Sequence, residues 1–526
     1  MKGRSSGSLI IILVVMLVAL YAVVDLLLTS GNMFSRLSLM IMIPCALVGL
    51  MARRHAMILF LISCGYVDLL KRLLVVDGQI SKMDLYYVLG IPPVTLGAIL
   101  ISTLAGAMSG SVRIRSRQWT WLALAMAMMG VTIIAQVRES GWGLGQLLPA
   151  LANSAFYTVI VFVVPVLFPT MEESLSMWKK VLFCYVPVAL YGVFQQVHGF
   201  QDFEIAYLMT GLSIEIKQLV YGEVRAFSTL NSPTALGAVS MILAVLSVVL
   251  TQMKHSESGR PYLGRAMGFF LFCIFVSGWL SSTSRSASVI LLMGAAGWWC
   301  FGSGPRTFLA YFTAVTSMLI LMVFAESLLD HLRDASLVVY DIFGSNKFGE
   351  QLTRLGTFTE RLQGFSNLLK NPEFITAFGY GADRGLDPSD PLYNHDLLSN
   401  LIVRFGLVPV GIGAFISVWV AVWLHSNLLQ IRERRVRSMA AACMGIVVGM
   451  IGSSLLSGSL LTVFPNNVFF WVLVSCVLVG FQSRGMTEDV APATGMRPPG
   501  RSALPAFARY GDGAPRLREP WNSPVR

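Results

Sequence analysis

Apolar runs about 20 residues long recur from one end of this chain to the other, and no other feature constrains the fold as tightly. They lie near 9–28, 37–51, 56–70, 85–107, 119–136, 147–169, 181–197, 234–251, 266–281, 286–303, 307–325, 397–424, 438–462 and 464–482. A helix of that length matches the hydrocarbon thickness of a bilayer and satisfies its own backbone polar groups there. Only 13% of the 526 residues are charged, against about 25% in soluble domains. The expected fold class is all-α, a polytopic membrane protein with about 12–14 transmembrane helices and one large, partly helical loop on the outer side. The runs near 37–51 and 56–70 are short, and re-entry or merging there lowers the count. The run at 9–28 is too long for a secretory signal core and reads as a retained span.

Lys and Arg set the orientation. With the N-terminus inside, the inner loops carry Arg53, Arg54, Arg113, Arg115, Arg117, Lys179, Lys180, Lys254, Arg260, Arg265, Arg306 and the 432–437 cluster. Lys71, Arg72 and Lys82 run against this trend. Both termini are then cytoplasmic, and the net charge of +11 finds its partner in membrane lipid headgroups rather than nucleic acid. The seven cysteines sit within or beside apolar runs with no Cys-x-x-Cys pair, and read as small core residues. No His, Cys, Asp or Glu spacing suggests a metal site, and no cofactor is expected. Four segments result: N-terminal transmembrane helices (1–325), a large loop on the outer side (326–395), C-terminal transmembrane helices (396–482) and a Pro-, Gly- and Arg-rich disordered tail (483–526).

The segment 326–395 is the one long polar stretch between apolar runs. A short amphipathic helix is expected over 327–343 and a second over about 358–370, started by a Thr357/Glu360 capping box and stopped by Asn371-Pro372. Gly379-Tyr380-Gly381 reads as a tight turn rather than a phosphate cradle.

Four residues could carry chemistry. Arg361 falls in the apolar sector of the second helix, with Phe358, Leu362, Phe365, Leu368 and Leu369. A buried guanidinium needs an anion, which a loop carboxylate also supplies. Arg285 lies in Ser281-Ser282-Thr283-Ser284-Arg285-Ser286, where a forked donor among hydroxyls suits phosphate; a hairpin tip reaching headgroups is the plainer alternative. Arg225 precedes Asn231-Ser232-Pro233, itself a plausible capped helix start. His395 precedes a helix whose cap is Asn394 or Asp396. The helix N-terminus disfavours imidazolium, so a neutral ring is available as a general base; an interface histidine bonded to a carbonyl is the alternative.

In order, these segments resemble the O-antigen ligase and polymerase superfamily of bacterial membrane glycosyltransferases. Arg225 through Pro233 looks like the family's arginine loop entering a span. Ser282-Thr283-Ser284-Arg285 looks like its Ser-x-Ser-Arg hairpin. Arg361, followed by Asn371-Pro372 and Phe378-Gly379-Tyr380-Gly381, looks like its arginine helix and Gly-x-Gly loop. Tyr393-Asn394-His395, with Leu398, Leu401 and Phe405-Gly406-Leu407, looks like its His-containing helix start. Ser228 and Ser232 stand where Gly and Asn are commoner in the family, and Asp396 where Asn is usual. The match covers roughly 220–480.

The resemblance implies a metal-independent, inverting transfer on the periplasmic face of the bacterial inner membrane, in polysaccharide, exopolysaccharide or O-antigen biosynthesis. The donor would be an undecaprenyl-diphosphate-linked oligosaccharide and the acceptor a glycan or lipid A core, with polysaccharide-assembly proteins as possible partners. Arg225, Arg285 and Arg361 would bind the diphosphate, with Arg285 and Arg361 also stabilising charge in the transition state. Tyr380 and Asn394 would contact substrate, and His395 would be the general base. A polymerase is preferred to a ligase. A lipid-linked oligosaccharide flippase predicts ionisable groups or broken helices near mid-membrane, and a non-catalytic assembly component would tolerate loss of His395.

Overall fold

The computed structural model describes residues 33–74, 82–140, 156–210, 219–220, 223–255, 258–284, 286–300, 368–380, 397–431, 433–457, 460–461 and 463–485. The expected spans at 9–28 and 307–325, most of the loop, the 483–526 tail beyond Gly485, and Arg285, Arg361, Asn394 and His395 lie outside the described residues.

The apolar runs become helices. In chain order these are α1 (Met33–Met51), α2 (Arg53–Ser63), α3 (Val67–Leu74), α4 (Lys82–Leu89), α5 (Ile91–Met108), α6 (Ser116–Ser140), α7 (Ile160–Leu167), α8 (Met171–His198), α9 (Asp202–Met209), α10 (Pro233–Gln252), α11 (Arg265–Ser282), α12 (Ser288–Cys300), α13 (Leu397–Phe405), α14 (Leu407–Leu429), α15 (Arg434–Ser457) and α16 (Asn466–Gly485). Six helices among the described residues are long and apolar enough to cross a membrane: Tyr87–Met108, Met171–His198, Pro233–Gln252, Arg265–Ser282, Leu407–Leu429 and Arg434–Ser454. Shorter apolar helices add to them, and the chain is a multi-pass, all-α membrane protein. A two-residue antiparallel ribbon, β1 (Leu219–Val220) on β2 (Glu223–Val224), leads directly into Arg225.

Helix α10 is the centre of the bundle. Ser232 caps it by accepting from the Ala235 N–H (3.2 Å), Pro233 opens its first turn, and most of its length is buried. It packs on α8, α11, α12, α15 and α16. Small residues make this close approach possible. A β-carbon on Gly237 of α10 would lie 2.6 Å from Ser284 Cβ, and one on Gly278 of α11 would lie 3.0 Å from Ser240 Oγ of α10. Helix α14 is the opposite case: Ile412, Phe415, Val418 and Trp419 are exposed, the pattern of a helix turned to lipid.

Among the described residues, the expected spans 56–70 and 397–424 are each divided by a turn. The run 56–70 splits into α2 and α3 at a turn over Cys64, Gly65 and Tyr66. Tyr185 fills the space a side chain at Gly65 would need, its ring 2.8 Å from that position. The run 397–424 splits at Gly406 (φ +87°) into α13 and α14. Hydropathy is blind to both breaks because the apolar character continues through them. Cys273 is exposed on α11 rather than in the core, whereas Cys64, Cys443 and Cys476 are buried as expected.

Helices α10 and α11 place their connecting loops at two ends, with Leu263 on Leu250 at one and Ala226 on Ser281 at the other. At one end Arg54 pairs with Glu173 (2.8 Å) and Arg53 donates to the Ser102 carbonyl (3.4 Å); Lys254 bridges to Pro261 there. The other end carries the loop 225–232 and the hairpin 281–288.

Candidate functional site

The second end joins Arg225 to the Ser281–Ser286 hairpin. Arg225 is half-buried, and its Nε donates to Thr283 Oγ1 at 3.0 Å. Next to it, the Ala226 N–H donates to the Ser281 carbonyl (3.2 Å). The arginine loop is thus held against the Ser281–Ser286 hairpin, 58 residues away along the chain. Thr283 ends α11 in the left-handed conformation (φ +51°), an uncommon backbone for a β-branched residue. That turn carries the chain from α11 toward α12 with Ser284 and Ser286 buried on either side of position 285. Trp279 Nε1 donates to the Ser284 carbonyl (2.7 Å), and Ser453 Oγ of α15 donates to the Ser286 carbonyl (2.7 Å). The hairpin is fixed from within and from the C-terminal half.

The loop 225–232 has its own support, formed by residues that sequence reasoning missed. Arg72 is 1% exposed and Glu204 0%, and they pair at 3.1 Å. Arg72 Nη1 also donates to the Ser228 carbonyl (2.6 Å), and its Nη2 to the Leu230 carbonyl. Its guanidinium lies 4.4 Å from the Phe227 ring centre. Gln195 donates from Nε2 to Glu204 (2.5 Å) and accepts with Oε1 from the Phe227 and Ser228 N–H groups (3.1 and 2.6 Å). Glu204 Oε2 accepts from the Gln201 N–H (3.1 Å), closing the capping box of α9. Thr229 Oγ1 donates to the Gly65 carbonyl (2.5 Å) at the α2–α3 break, and Ser228 Oγ to the Val188 carbonyl. Arg72 is therefore not a loop base opposing the charge asymmetry, as expected from sequence, but a buried, compensated ion. Its departure from the charge trend was the available signal. Lys71 likewise pairs with Asp68 (2.8 Å).

Within the 326–395 segment, residues 368–380 are described. Residues 368–370 are helical and Asn371 ends that helix, as expected. Leu368 is buried against Ile402 and Val403, but Leu369, expected on the same face, is 48% exposed. Gly379 takes φ +74°, a backbone that favours glycine, while Gly381 of the expected turn lies outside the described residues. The chain then pairs with the break between α13 and α14: Tyr380 N–H donates to the Val403 carbonyl (2.8 Å), Leu407 N–H to the Thr376 carbonyl (2.9 Å) and Val408 N–H to the Ala377 carbonyl (3.1 Å). The amides freed at the helix break are satisfied by this segment. Tyr380 is part-exposed, and its hydroxyl donates to the Glu373 carbonyl (2.8 Å). Asn394 and His395 immediately precede α13 in the chain.

The structure thus joins Arg225 to the hairpin that contains Arg285, and anchors the Tyr380 segment on the α13–α14 break. Neither protein-family models nor curated proteins match this chain.

Proposed function

We propose that the chain is a membrane glycosyltransferase of the O-antigen ligase and polymerase type, acting on undecaprenyl-diphosphate-linked glycans at the periplasmic face of a bacterial inner membrane. The carrying observation is the bond from Arg225 Nε to Thr283 Oγ1, which draws one arginine loop onto the hairpin holding a second arginine. Two arginines on segments joined in this way suit a diphosphate, because each forked cation binds phosphate oxygens bidentately. The basic residues Arg53, Arg54, Lys254 and Arg260 gather toward the opposite end, which supports placing the arginine loop outside.

In this reading Arg225, Arg285 and Arg361 hold the donor diphosphate, with Tyr380 and Asn394 against the substrate. His395 takes the proton of an acceptor hydroxyl as its oxygen attacks the anomeric carbon. The bond from that carbon to the diphosphate oxygen breaks, and undecaprenyl diphosphate leaves with the electron pair, its developing charge held by the arginines. Attack opposite the leaving group inverts the anomeric centre. The polymerase form of this reaction is preferred.

A glycan gel of a deletion strain, complemented with wild type or variants, is the test. Loss of long chains with one repeat kept on the acceptor identifies a polymerase. Loss of all acceptor-attached glycan, with polymer accumulating on the carrier, identifies a ligase. An unchanged glycan profile in the deletion strain overturns the proposal.

A further inference from the structure

Arg72 and Glu204 are both fully buried, and removing two such ions from water is costly. A buried ion pair is a poor device for stability alone, and its geometry shows what else this one does. Two of Arg72's donors go to backbone carbonyls of a single loop, those of Ser228 and Leu230. Gln195, bonded to the same Glu204 oxygen as Arg72, holds the N–H groups of Phe227 and Ser228. Between them, two side chains fix the N–H groups of Phe227 and Ser228 and the carbonyls of Ser228 and Leu230. The held residue Ser228 has φ +56°, a conformation that costs a non-glycine residue energy and persists where surrounding bonds over-determine it. Arg225 lies three residues before Ser228.

We infer that Arg72 is a positioning residue: through the Glu204–Gln195 circuit it locks the 227–230 turn and thereby fixes where the Arg225 guanidinium stands beside Thr283. This rests on the diphosphate-binding role proposed for Arg225. Lysine at 72 would keep the charge for Glu204 but lose the planar fork that reaches two carbonyls together. Gln195 and Glu204 then hold only part of the turn.

The test uses the full chain purified in detergent micelles, with undecaprenyl diphosphate as the probe and hydrogen exchange as the second readout. Arg72→Lys is expected to speed exchange at the Phe227 and Ser228 amides while the α10 amides stay protected. It is also expected to weaken probe binding about tenfold or more, the factor carried by one charge-assisted hydrogen bond. In an Arg225→Ala background the same change should weaken binding no further, because Arg72 acts through Arg225. A purely structural role would add its loss in both backgrounds. Should Arg72→Lys fold poorly, the paired apolar variant Arg72→Leu/Glu204→Leu removes the charges together and is read in the same way. Unchanged protection at Phe227 and Ser228, or additive losses with Arg225→Ala, overturns the inference. If Arg225→Ala itself binds the probe normally, the lipid-diphosphate reading fails instead, and exchange alone decides whether Arg72 locks the turn.

Discussion

Gly379 and Gly406 stand against each other so closely that neither has room for a side chain. A β-carbon on Gly406 would lie 2.4 Å from the Gly379 nitrogen, and one on Gly379 would lie 2.6 Å from the Gly406 nitrogen. Both take positive φ. Alanine at either position adds a backbone penalty of about 1–3 kcal/mol to the overlap. Gly379→Ala and Gly406→Ala should both detach the 376–380 segment from the α13–α14 break. Faster amide exchange at Tyr380 and Leu407, with glycan transfer reduced, is the expected result; wild-type exchange in both variants would show that the contact is not needed.

Thr283 combines an unfavourable backbone with a useful hydroxyl. Thr283→Gly relieves the left-handed conformation but removes the acceptor for Arg225 Nε, a bond of about 1 kcal/mol. Thermal stability should therefore change by less than about 1 kcal/mol. Transfer should fall nonetheless, because the arginine loses its anchor. A thermal shift assay beside the glycan gel separates these, and full activity in this variant would show that the Thr283 bond does not orient Arg225.

His395→Ala should abolish glycan transfer while membrane insertion stays intact, as expected of a lost general base. Arg285→Lys and Arg361→Lys should each impair transfer, since an ammonium does not replace a bidentate fork. Complementation in the deletion strain, with protein level checked by immunoblot, measures all three. Near-normal product from His395→Ala would remove that residue from the chemistry, and wild-type turnover with both lysines would reduce the arginines to headgroup contacts.

Gly278 tests the packing beneath the hairpin. A β-carbon there meets Ala189 Cβ at 2.9 Å and Ser240 Oγ at 3.0 Å, so Gly278→Leu must push α11 from α8 and α10. Overpacking of this kind costs about 1–3 kcal/mol. Lower thermal stability and a larger loss of transfer than in Gly264→Ala, whose added carbon meets nothing, are the expected pair of results.

The helices were legible because their signal is local: a run of apolar residues needs no partner to be recognised. The start of α10 was legible for the same reason, in Ser232 followed by Pro233. The distribution of Lys and Arg also puts Arg225 and the 281–286 segment on one side of the membrane, and the Arg225–Thr283 bond joins them. The breaks at Gly65 and Gly406 were not legible, because each depends on what packs there, Tyr185 in one case and the Gly379 segment in the other. Nor was the Arg72–Glu204 pair, whose members are 132 residues apart. Only Arg72's misfit with the charge asymmetry pointed to it, and a misfit does not name a partner.

The bond from Ser453 to the Ser286 carbonyl joins positions 167 residues apart, and this has a consequence for biosynthesis. A ribosome delivers α10, α11 and α12 to the membrane well before α15 exists. The hairpin around position 285 must therefore wait for α15 before it reaches its final shape. A chain released between α12 and α15 can insert its earlier helices, yet it lacks the Ser453 hydroxyl that holds the Ser286 carbonyl.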